Sequence, residues 1–431
     1  MMLYLYRGLS VLGTPLIIIY LYFRRIRGKE NSGRFKERFG QSSLVRPYGT
    51  LIWIHAASVG ESLSILPLIE RLAGENQDLN ILVTTGTVSS ARLMGDRLPA
   101  GAFHQFVPVD HILFVRRFLD HWRPDLVLWV ESEFWPNMIT EVEGRNINMV
   151  LINGRVSQKS FAGWQKFNSL IRSLLSSFDL CLGQSDIDVT RLRQMGAKSI
   201  KCVGNLKFSS LPLPFNKADF LKITKSIGNR PVWLAASTHA GEEEIAIQVH
   251  QRLKDLYADL LTIIVPRNPK RGKKIAFQIR RQGINVTLRS SGDPISTESE
   301  IYVGDTMGEM GLFLRIASIV FIGKSLVPLG GQNPLEAARL NCAIIHGPYM
   351  KNFEEISILL KKANASIQVL NSEDLISSIK KLIEDTTYCK NIAAAAKAVV
   401  DNESGVLDSV QTELKPFIDH LSDKDNFRAD S

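Results

Sequence analysis

Two runs of alternating apolar strands and helices limit this 431-residue chain to a small set of folds. In each run, short apolar segments end in small or turn-forming residues and are followed by amphipathic helical segments. This order predicts an α/β fold with doubly wound parallel sheets. Strands of the first run are predicted to begin at residue 51 and to cover 81–85, 103–108, 126–130, 149–153, 180–183 and 200–203. Strands of the second run are predicted at 232–236, 261–265, 285–288, 301–303, 319–322 and 343–346.

A segment that contains Pro212 and Pro214 interrupts the pattern between the two runs and predicts a linker. A chain of this length can bury more than one core. Two Rossmann-like domains joined by a linker are expected to face each other across a cleft, a usual place for a ligand. The predicted parts are an N-terminal domain over 50–208, a linker over 209–230, a C-terminal domain over 231–390, and C-terminal helices with a polar tail over 391–431.

The first 49 residues predict attachment to a membrane. Residues 8–23 carry no charge and are mostly apolar, whereas a spanning helix needs about 20 apolar residues. Basic residues dominate positions 24–38; their place after the apolar run disfavours a signal peptide and predicts a cytoplasmic location for them. We therefore predict a membrane anchor over 1–23 and a basic juxtamembrane segment over 24–49. Whether the anchor spans the bilayer or lies in its interface is left open.

The remaining composition excludes several classes of protein. The net charge of +9 comes largely from the basic run near the N-terminus, and no basic stripe interleaved with aromatic residues follows it, so nucleic acid is not an expected partner. The cysteines are far apart, form no C-x-x-C pair and accompany no clustered histidines, so neither a disulfide framework nor a zinc site is predicted. They are Cys181, Cys202, Cys342 and Cys389.

Acidic residues follow two of the predicted strands of the first domain. Glu61 comes after a strand and a loop of small residues, and it opens an amphipathic helix; Glu131 and Glu133 follow the strand at 126–130. Ligands of open parallel sheets bind beyond the carboxyl ends of the strands. Glu61 is therefore a possible general base, and the other two acids can orient a hydroxyl acceptor. Alternatively, each acid only complements the dipole at the start of a helix.

Basic residues also follow strands of this kind. Lys207 comes just after the last strand of the first domain, and Arg267 lies at the tip of the strand at 261–265. A lysine in the cleft can hold a phosphate or a carboxylate, and an arginine can bind a phosphate through two hydrogen bonds. For Lys207 the alternative is an ordinary solvated surface residue.

Glycine-rich loops in the second domain predict a nucleotide site. Gly330 and Gly331 precede Asn333 and a helix that starts near Pro334, so backbone amides can approach an anion while Glu336 accepts from ribose hydroxyls. A second glycine-containing loop covers 304–310. The amides of the loop at 237–244 suit a phosphate as well, although its acids are equally explained as helix caps.

Two common nucleotide motifs are not found. Gly323-Lys324-Ser325 is similar to the end of a P-loop, but Ser318 stands where the first glycine of that motif belongs. The sequence also contains no G-x-G-x-x-G, so a dinucleotide-dependent oxidoreductase is not predicted.

Taken together, several segments resemble the 3-deoxy-D-manno-octulosonic acid (Kdo) transferase family. The resemblance implies a GT-B glycosyltransferase fold and attachment to the cytoplasmic face of the bacterial inner membrane. It also implies transfer of Kdo from CMP-Kdo to a lipid A precursor of the lipid IVA type, as a step of lipopolysaccharide biosynthesis. Direct displacement by one base predicts inversion at the sugar. Arg267, Lys207 and helix N-termini can meet the phosphate charge, so no metal or cofactor is expected. The segments are 55–61, 129–137, 237–244, 266–271, 305–309 and 330–336.

Individual residues receive roles from this resemblance. It implies that Glu61 is the general base and that Glu131 and Lys207 support the transition state. Contacts with CMP are implied for Pro266, Arg267, Met307, Gly308, Glu309, Asn333, Pro334, Leu335 and Glu336. Asn268 and Gln332 stand where the family usually has histidines, and Ala337 replaces a common proline.

Two other functions remain open from the sequence. A GT-B-like sugar-nucleotide epimerase would need neither the anchor nor a lipid acceptor. A non-catalytic nucleotide-binding protein held at the membrane would keep the anchor but form no product.

Overall fold

Among residues 2–76, 79–209, 212–403 and 405–429, which the computed structural model describes, the chain forms two parallel sheets of seven strands each. The sheets belong to two separate units. Unit 1 consists of Met1–Ser210 and Glu403–Ser431, and unit 2 of Leu211–Asn402. The prediction of two doubly wound α/β sheets is confirmed.

The sheet of unit 1 has the strand order β3-β2-β1-β4-β5-β6-β7. Its strands are β1 (Leu51–His55), β2 (Asn80–Thr85), β3 (Ala102–Phe106), β4 (Leu126–Val130), β5 (Asn148–Gly154), β6 (Leu180–Gly183) and β7 (Ile200–Cys202). Its helices up to residue 210 are α1 (Met2–Leu12), α2 (Thr14–Ile26), α3 (Val59–Glu75), α4 (Val88–Arg97), α5 (Ile112–Trp122), α6 (Pro136–Glu143), α7 (Gln158–Gln165), α8 (Asn168–Ser176) and α9 (Asp186–Met195).

The sheet of unit 2 has the order β10-β11-β9-β8-β12-β13-β14. Its strands are β8 (Val232–Thr238), β9 (Leu261–Pro266), β10 (Val286–Leu288), β11 (Ile301–Val303), β12 (Ile319–Ile322), β13 (Ala343–His346) and β14 (Ser366–Gln368). Its helices are α10 (Lys217–Ile227), α11 (Glu242–Lys254), α12 (Gly272–Arg280), α13 (Met310–Ile316), α14 (Leu335–Arg339), α15 (Glu354–Lys362), α16 (Ser372–Glu384) and α17 (Thr386–Asn402). The edge strand β14 was not predicted, and α10 lies inside the predicted linker.

The central strand β1 is buried on both faces. Successive side chains of a strand point to opposite faces of the sheet; Leu51 and Trp53 join one hydrophobic cluster, whereas Ile52 and Ile54 join the other. Burial on both faces explains why the strand is a continuous apolar run rather than an alternating one. It also fixes the position of the loop that follows His55.

The last helix, α18 (Val406–Ala429), belongs to unit 1 and not to unit 2, which precedes it in the chain. Its apolar residues repeat every three or four positions and join the cluster that contains Ile52 and Ile54. The sequence predicted one C-terminal segment over 391–431, so the return of this helix to unit 1 was not foreseen. The buried residues of α18 are Val406, Val410, Leu414, Ile418 and Leu421.

The N-terminal residues form the two helices α1 and α2. Within the described residues, no single helix has both the length and the apolar composition needed to cross a bilayer; α1 and α2 satisfy these criteria only as a pair, and the pair is bent by 60°. Both helices contact the rest of unit 1: the hydroxyl of Tyr6 donates to Asp110 over 2.9 Å, and Thr14 Oγ1 lies 3.0 Å from His111 Nε2.

Candidate functional site

Glu61 lies in the first turn of α3, beyond the carboxyl end of β1. Ser58 caps this helix: its Oγ accepts from the Glu61 amide over 3.3 Å and donates to Glu61 Oε1 over 2.7 Å. The amide of Ala57 donates to Oε2 over 2.7 Å. The spacing from Ser58 to Glu61 is that of a capping box, but the backbone amide that donates to the Glu61 carboxylate is that of Ala57 and not that of Ser58. Both carboxyl oxygens are therefore held in place, and each keeps a lone pair for a further donor.

Burial changes the acidity of this carboxyl group. Glu61 is 7% exposed, and its pKa is raised from 4.5 to about 7, first by burial and then by the charge of Glu131. The bonds from Ser58 and Ala57 oppose this rise in the pKa. A carboxylate with a pKa near neutrality is suited to act as a general base. Glu61 thus starts a helix and also has the acidity that the catalytic hypothesis requires.

Glu131 and Lys207 form an ion pair at the same edge of the sheet. Glu131 follows β4, the neighbour of β1, and has a left-handed backbone with φ of 60°. Lys207 lies in a short 3-10 turn after β7, and its Nζ is 2.7 Å from Glu131 Oε1. The structure therefore brings together the three residues to which the sequence assigned catalytic roles.

Aromatic rings pack around His55, at the end of β1. His55, at the end of β1, lies with its ring centroid 4.6 Å from that of Trp129 and 5.0 Å from that of Trp135. Burial lowers the pKa of His55 to about 3, so its imidazole is neutral near pH 7. Glu133 is exposed and accepts from Trp135 Nε1 over 2.8 Å. Trp135 thus contacts the His55 ring while its indole N–H is held by Glu133.

The sequence did not identify Thr84 as a member of this cluster. Its hydroxyl accepts from Trp53 Nε1 over 2.8 Å and lies 3.0 Å from His55 Nδ1. Thr84 is on β2, and no local pattern indicates which side chain of a neighbouring strand its hydroxyl will contact.

The predicted nucleotide residues of unit 2 follow three strands of its sheet. Met307, Gly308 and Glu309 come after β11, Arg267 after β9, and 333–336 after β12. Together with β8, these strands are neighbours in the order β11-β9-β8-β12. The carboxyl ends of adjacent parallel strands meet at one edge, so the sheet gathers these segments where ligands of open sheets bind.

Glu336 and Arg267 interact at this edge. Burial raises the pKa of the Glu336 carboxyl, and the nearby cations Arg339 and Arg267 oppose that rise. Arg267 is held at the end of β9 by its amide, which donates to the carbonyl of Thr238 over 3.0 Å. Next to Glu336, Asn333 Oδ1 accepts from the Leu335 amide over 3.1 Å.

The segment 306–309 contains both an exposed and a paired side chain. Met307 is 72% exposed, and Gly308 has a φ of +80°. The carboxylate of Glu309 accepts from Arg289 over 2.6 Å and from the hydroxyl of Thr306, and these contacts lower its pKa. Arg289 also pairs with Asp219. The side chain of Glu309 therefore has a structural task within unit 2.

Glu242 accepts hydrogen bonds from backbone amides of two loops. This residue is 1% exposed, and its carboxylate accepts from the amides of Lys324, Ser325 and Leu326 over 2.6, 2.9 and 3.1 Å. It also accepts from the amide of His239 over 3.0 Å. Within the loop at 237–244, the His239 amide is therefore paired with Glu242 and the Gly241 amide with Glu244, as in a helix cap.

The positions that lack the family's histidines make local contacts. Asn268 Oδ1 accepts from the Lys270 amide over 3.2 Å, and Gln332 Nε2 lies 3.3 Å from His239 Nε2. An imidazole from a different loop, His239, is thus next to Gln332.

Comparison with known proteins shows which family this chain resembles. Residues 33–210 match the family model described as 3-Deoxy-D-manno-octulosonic-acid transferase (kdotransferase). A 3-deoxy-D-manno-octulosonic acid transferase of Rickettsia bellii is 36% identical over 419 residues, which cover 96% of this chain and all of that protein. One of Haemophilus influenzae is 30% identical, with coverage of 96% and 99%.

A solved structure is similar in fold. The putative UDP-N-acetylglucosamine 2-epimerase from Listeria monocytogenes has a TM-score of 0.59 over 86% of this chain and 97% of its own, at 13% sequence identity. This likeness agrees with a GT-B-like fold of two parallel-sheet α/β units.

Proposed function

Because this chain belongs to the 3-deoxy-D-manno-octulosonic acid (Kdo) transferase family, we propose that it transfers Kdo from CMP-Kdo to a lipid A precursor of the lipid IVA type. The observation that carries this proposal is the buried carboxyl group of Glu61, with a pKa of about 7, at the sheet edge that also holds the Glu131–Lys207 pair. Transfer of a sugar to a hydroxyl needs a base of this kind.

In the proposed reaction Glu61 takes the proton of the acceptor hydroxyl. The acceptor oxygen forms a bond to the anomeric carbon of Kdo, while the bond from that carbon to the phosphate oxygen of CMP breaks. CMP leaves with the electron pair of that bond. Displacement in one step, with one base, inverts the configuration at the anomeric carbon.

Lys207 and Glu131 support the transition state in this scheme. Their contact of 2.7 Å holds the ammonium at the edge where Glu61 acts. A fixed positive charge stabilises negative charge that develops on the reacting groups, because it needs no reorganisation during the reaction.

Unit 2 would bind the donor. Arg267 can meet the charge of the leaving phosphate through two hydrogen bonds, and Glu336 can accept from the ribose hydroxyls. The positive φ values of Gly330 and Gly331, +97° and +77°, let the backbone approach the nucleotide closely. The protein's own cations meet the phosphate charge here, and the proposal assigns no step to a metal or cofactor.

We further propose that α1 and α2 hold the protein at the cytoplasmic side of the inner membrane. Their apolar side chains are widely exposed, among them Leu12 at 80%, Leu16 at 72% and Ile26 at 79%. Exposed apolar surface of this extent favours lipid contact. The basic residues that follow can bind anionic headgroups. The acyl chains of the acceptor would remain in the bilayer while its sugar reaches Glu61.

The proposal is tested by incubating the purified protein with CMP-Kdo and a tetraacylated disaccharide bisphosphate in detergent. A transferase yields a lipid that is heavier by one or more Kdo residues in mass spectrometry. A sugar-nucleotide epimerase would change the nucleotide sugar without a lipid product, and a non-catalytic protein would change neither. Absence of the heavier lipid would overturn the proposal.

The role of Glu61 is tested with Glu61→Gln and with Glu70→Gln, a matched control on the same helix. We expect Glu61→Gln to slow transfer about 10² to 10⁴-fold and to leave CMP binding intact. Glu70→Gln should behave as the wild type. Transfer at the wild-type rate by Glu61→Gln would remove this residue from its role.

A further inference from the structure

We propose that Asn153 is a positioning residue that fixes Lys207 against Glu131 and so keeps the reacting edge of unit 1 assembled. This inference rests on the proposed function, because it assigns Asn153 a task in the same site. Neither the sequence motifs nor the comparisons give this residue a role.

Asn153 lies beside Glu131 at the ends of two neighbouring strands. β4 and β5 pair in parallel, with Val130 opposite Ile152, so the next residues of the two strands are Glu131 and Asn153. Both have left-handed backbones, with φ of 60° and 54°. Asparagine tolerates this conformation better than most residues do. The side chain of Asn153 is fully buried.

A closed ring of contacts joins Asn153 to the ion pair. Asn153 Oδ1 accepts from the Leu206 amide over 2.9 Å, and Leu206, itself fully buried, is followed directly by Lys207. Lys207 Nζ reaches Glu131 over 2.7 Å. The Glu131 amide in turn donates to the carbonyl of Ile152 over 3.1 Å, which returns the ring to Asn153. The end of β5 therefore fixes both partners of the ion pair.

Stability alone is a poor explanation for an asparagine here. Within the part of the chain that the structure describes, its buried Nδ2 has no hydrogen-bond partner. A buried donor without an acceptor costs free energy. The hydrogen bond that the Asn153 side chain does make, from the Leu206 amide to Oδ1, holds the turn that carries Lys207.

Loss of Oδ1 has a consequence that can be measured apart from stability. With the Leu206 amide released, Lys207 would leave Glu131 without its cation. The charge of Glu131 is, after burial, the largest cause of the raised pKa of Glu61. A Glu131 without its partner should raise the pKa of Glu61 further, so the acid limb of kcat/KM should move to higher pH.

Three variants test this inference. Asn153→Gly removes the side chain and keeps the left-handed backbone without strain. Asn153→Asp restores an oxygen acceptor toward Leu206. Asn146→Gly is the matched control, because Asn146 has a φ of 53°, is exposed, and precedes β5 at its opposite end. If Asn153→Gly fails to fold, Asn153→Ser, which shortens the side chain, replaces it.

We expect Asn153→Gly to lower kcat about 10 to 100-fold, to leave the KM for CMP-Kdo within about twofold, and to move the acid limb up by about one pH unit. Asn153→Asp should recover part of kcat, and Asn146→Gly should leave kcat and the acid limb unchanged. A wild-type protein without transferase activity would refute the proposed function. An active wild type with an unshifted acid limb in Asn153→Gly, whatever its stability, would refute the positioning role.

Discussion

Lys207 and Glu131 are 76 residues apart in the chain, yet their charged groups meet at 2.7 Å at one edge of the sheet of unit 1. Glu131 has a second neighbour in Glu61, whose pKa it raises. The pair therefore controls the charge around the proposed base, since Lys207 offsets the carboxylate that opposes ionisation of Glu61.

The first prediction is that the two members of this pair shift the pH profile in opposite directions. A base acts when it is deprotonated, so a lower pKa of Glu61 moves the acid limb of kcat/KM to lower pH. Glu131→Gln removes a negative neighbour and should move the limb down, whereas Lys207→Met removes its compensation and should move it up. We expect shifts of about one pH unit, measured on residual activity between pH 5.5 and 8.5.

Lys198→Met, at an exposed lysine, serves as the control and should leave the acid limb in place. Equal shifts in one direction for Glu131→Gln and Lys207→Met would show that the limb does not report the charge around Glu61.

The second prediction concerns the stability that unit 1 loses when Glu61 ionises. Because the folded-state pKa is raised from 4.5 to about 7, the folded state holds the proton more tightly. The tighter binding of this proton contributes up to about 3 kcal/mol to the free energy of unfolding. The contribution is full below pH 4.5 and is lost as the pH rises through 7. Glu61→Gln cannot ionise. The glutamine loses part of the hydrogen bonding to Ala57 and Ser58. We therefore expect the free energy of unfolding of Glu61→Gln to exceed that of the wild type by about 1 to 2 kcal/mol at pH 8 and to show no gain at pH 5.

Urea unfolding at both pH values measures this difference, with Glu70→Gln as the control. A gain of the same size at pH 5 and pH 8 would mean that the effect of Glu61→Gln is not linked to ionisation.

Most strands followed from sequence because burial on both faces leaves a simple pattern. The run at 51–54 is apolar throughout, and the structure shows it between two clusters of side chains. The packing of α18 against unit 1 could not be predicted from sequence. An apolar stripe indicates that one face of a helix is buried, but it does not indicate which core that face packs against. β14 was missed because three residues at a sheet edge, none of them fully buried, give almost no signal.

For the site, strand ends predicted where Glu61, Glu131 and Lys207 lie but not which of them pair. The distance between Lys207 and Glu131 depends on crossovers through β5, β6 and β7, which no local pattern contains. Ser58 was within reach of sequence reasoning through its capping-box spacing. The four amides around Glu242 were not, because three of them come from a loop more than 80 residues later.

The third prediction is that Glu242 stabilises unit 2 more than Glu244 does. Its carboxylate accepts four amides from two loops. Glu242→Gln removes the charge and turns one acceptor into a donor that faces other donors, which should cost about 3 kcal/mol. Thermal unfolding followed by circular dichroism measures this cost.

Glu244→Gln is the matched variant in the same helical turn. Glu244 is exposed and accepts only from the Gly241 amide in the structure as described, over 3.0 Å, so its loss should cost about 0.5 to 1 kcal/mol. Equal losses for the two variants would show that the amides around Glu242 do not depend on its charge.

The fourth prediction is that α18 holds the turn that carries Lys207 through Gly204. Gly204 has a φ of +94°, and a Cβ built on it would lie 2.6 Å from Val406 Cγ2. Gly204→Ala should therefore destabilise unit 1 by about 1 to 3 kcal/mol, from backbone strain and from displacement of α18. Gly101→Ala is the control for strain alone, because Gly101 has a φ of +81° and its Cβ would meet only an ordinary contact at 3.5 Å.

In Gly204→Ala/Val406→Ala the clash is relieved, so the two substitutions together should cost less than the sum of their separate effects in urea unfolding. If Gly204→Ala costs no more than Gly101→Ala and the double variant is additive, then Val406 does not hold this turn, and α18 contributes to the core of unit 1 without positioning Lys207.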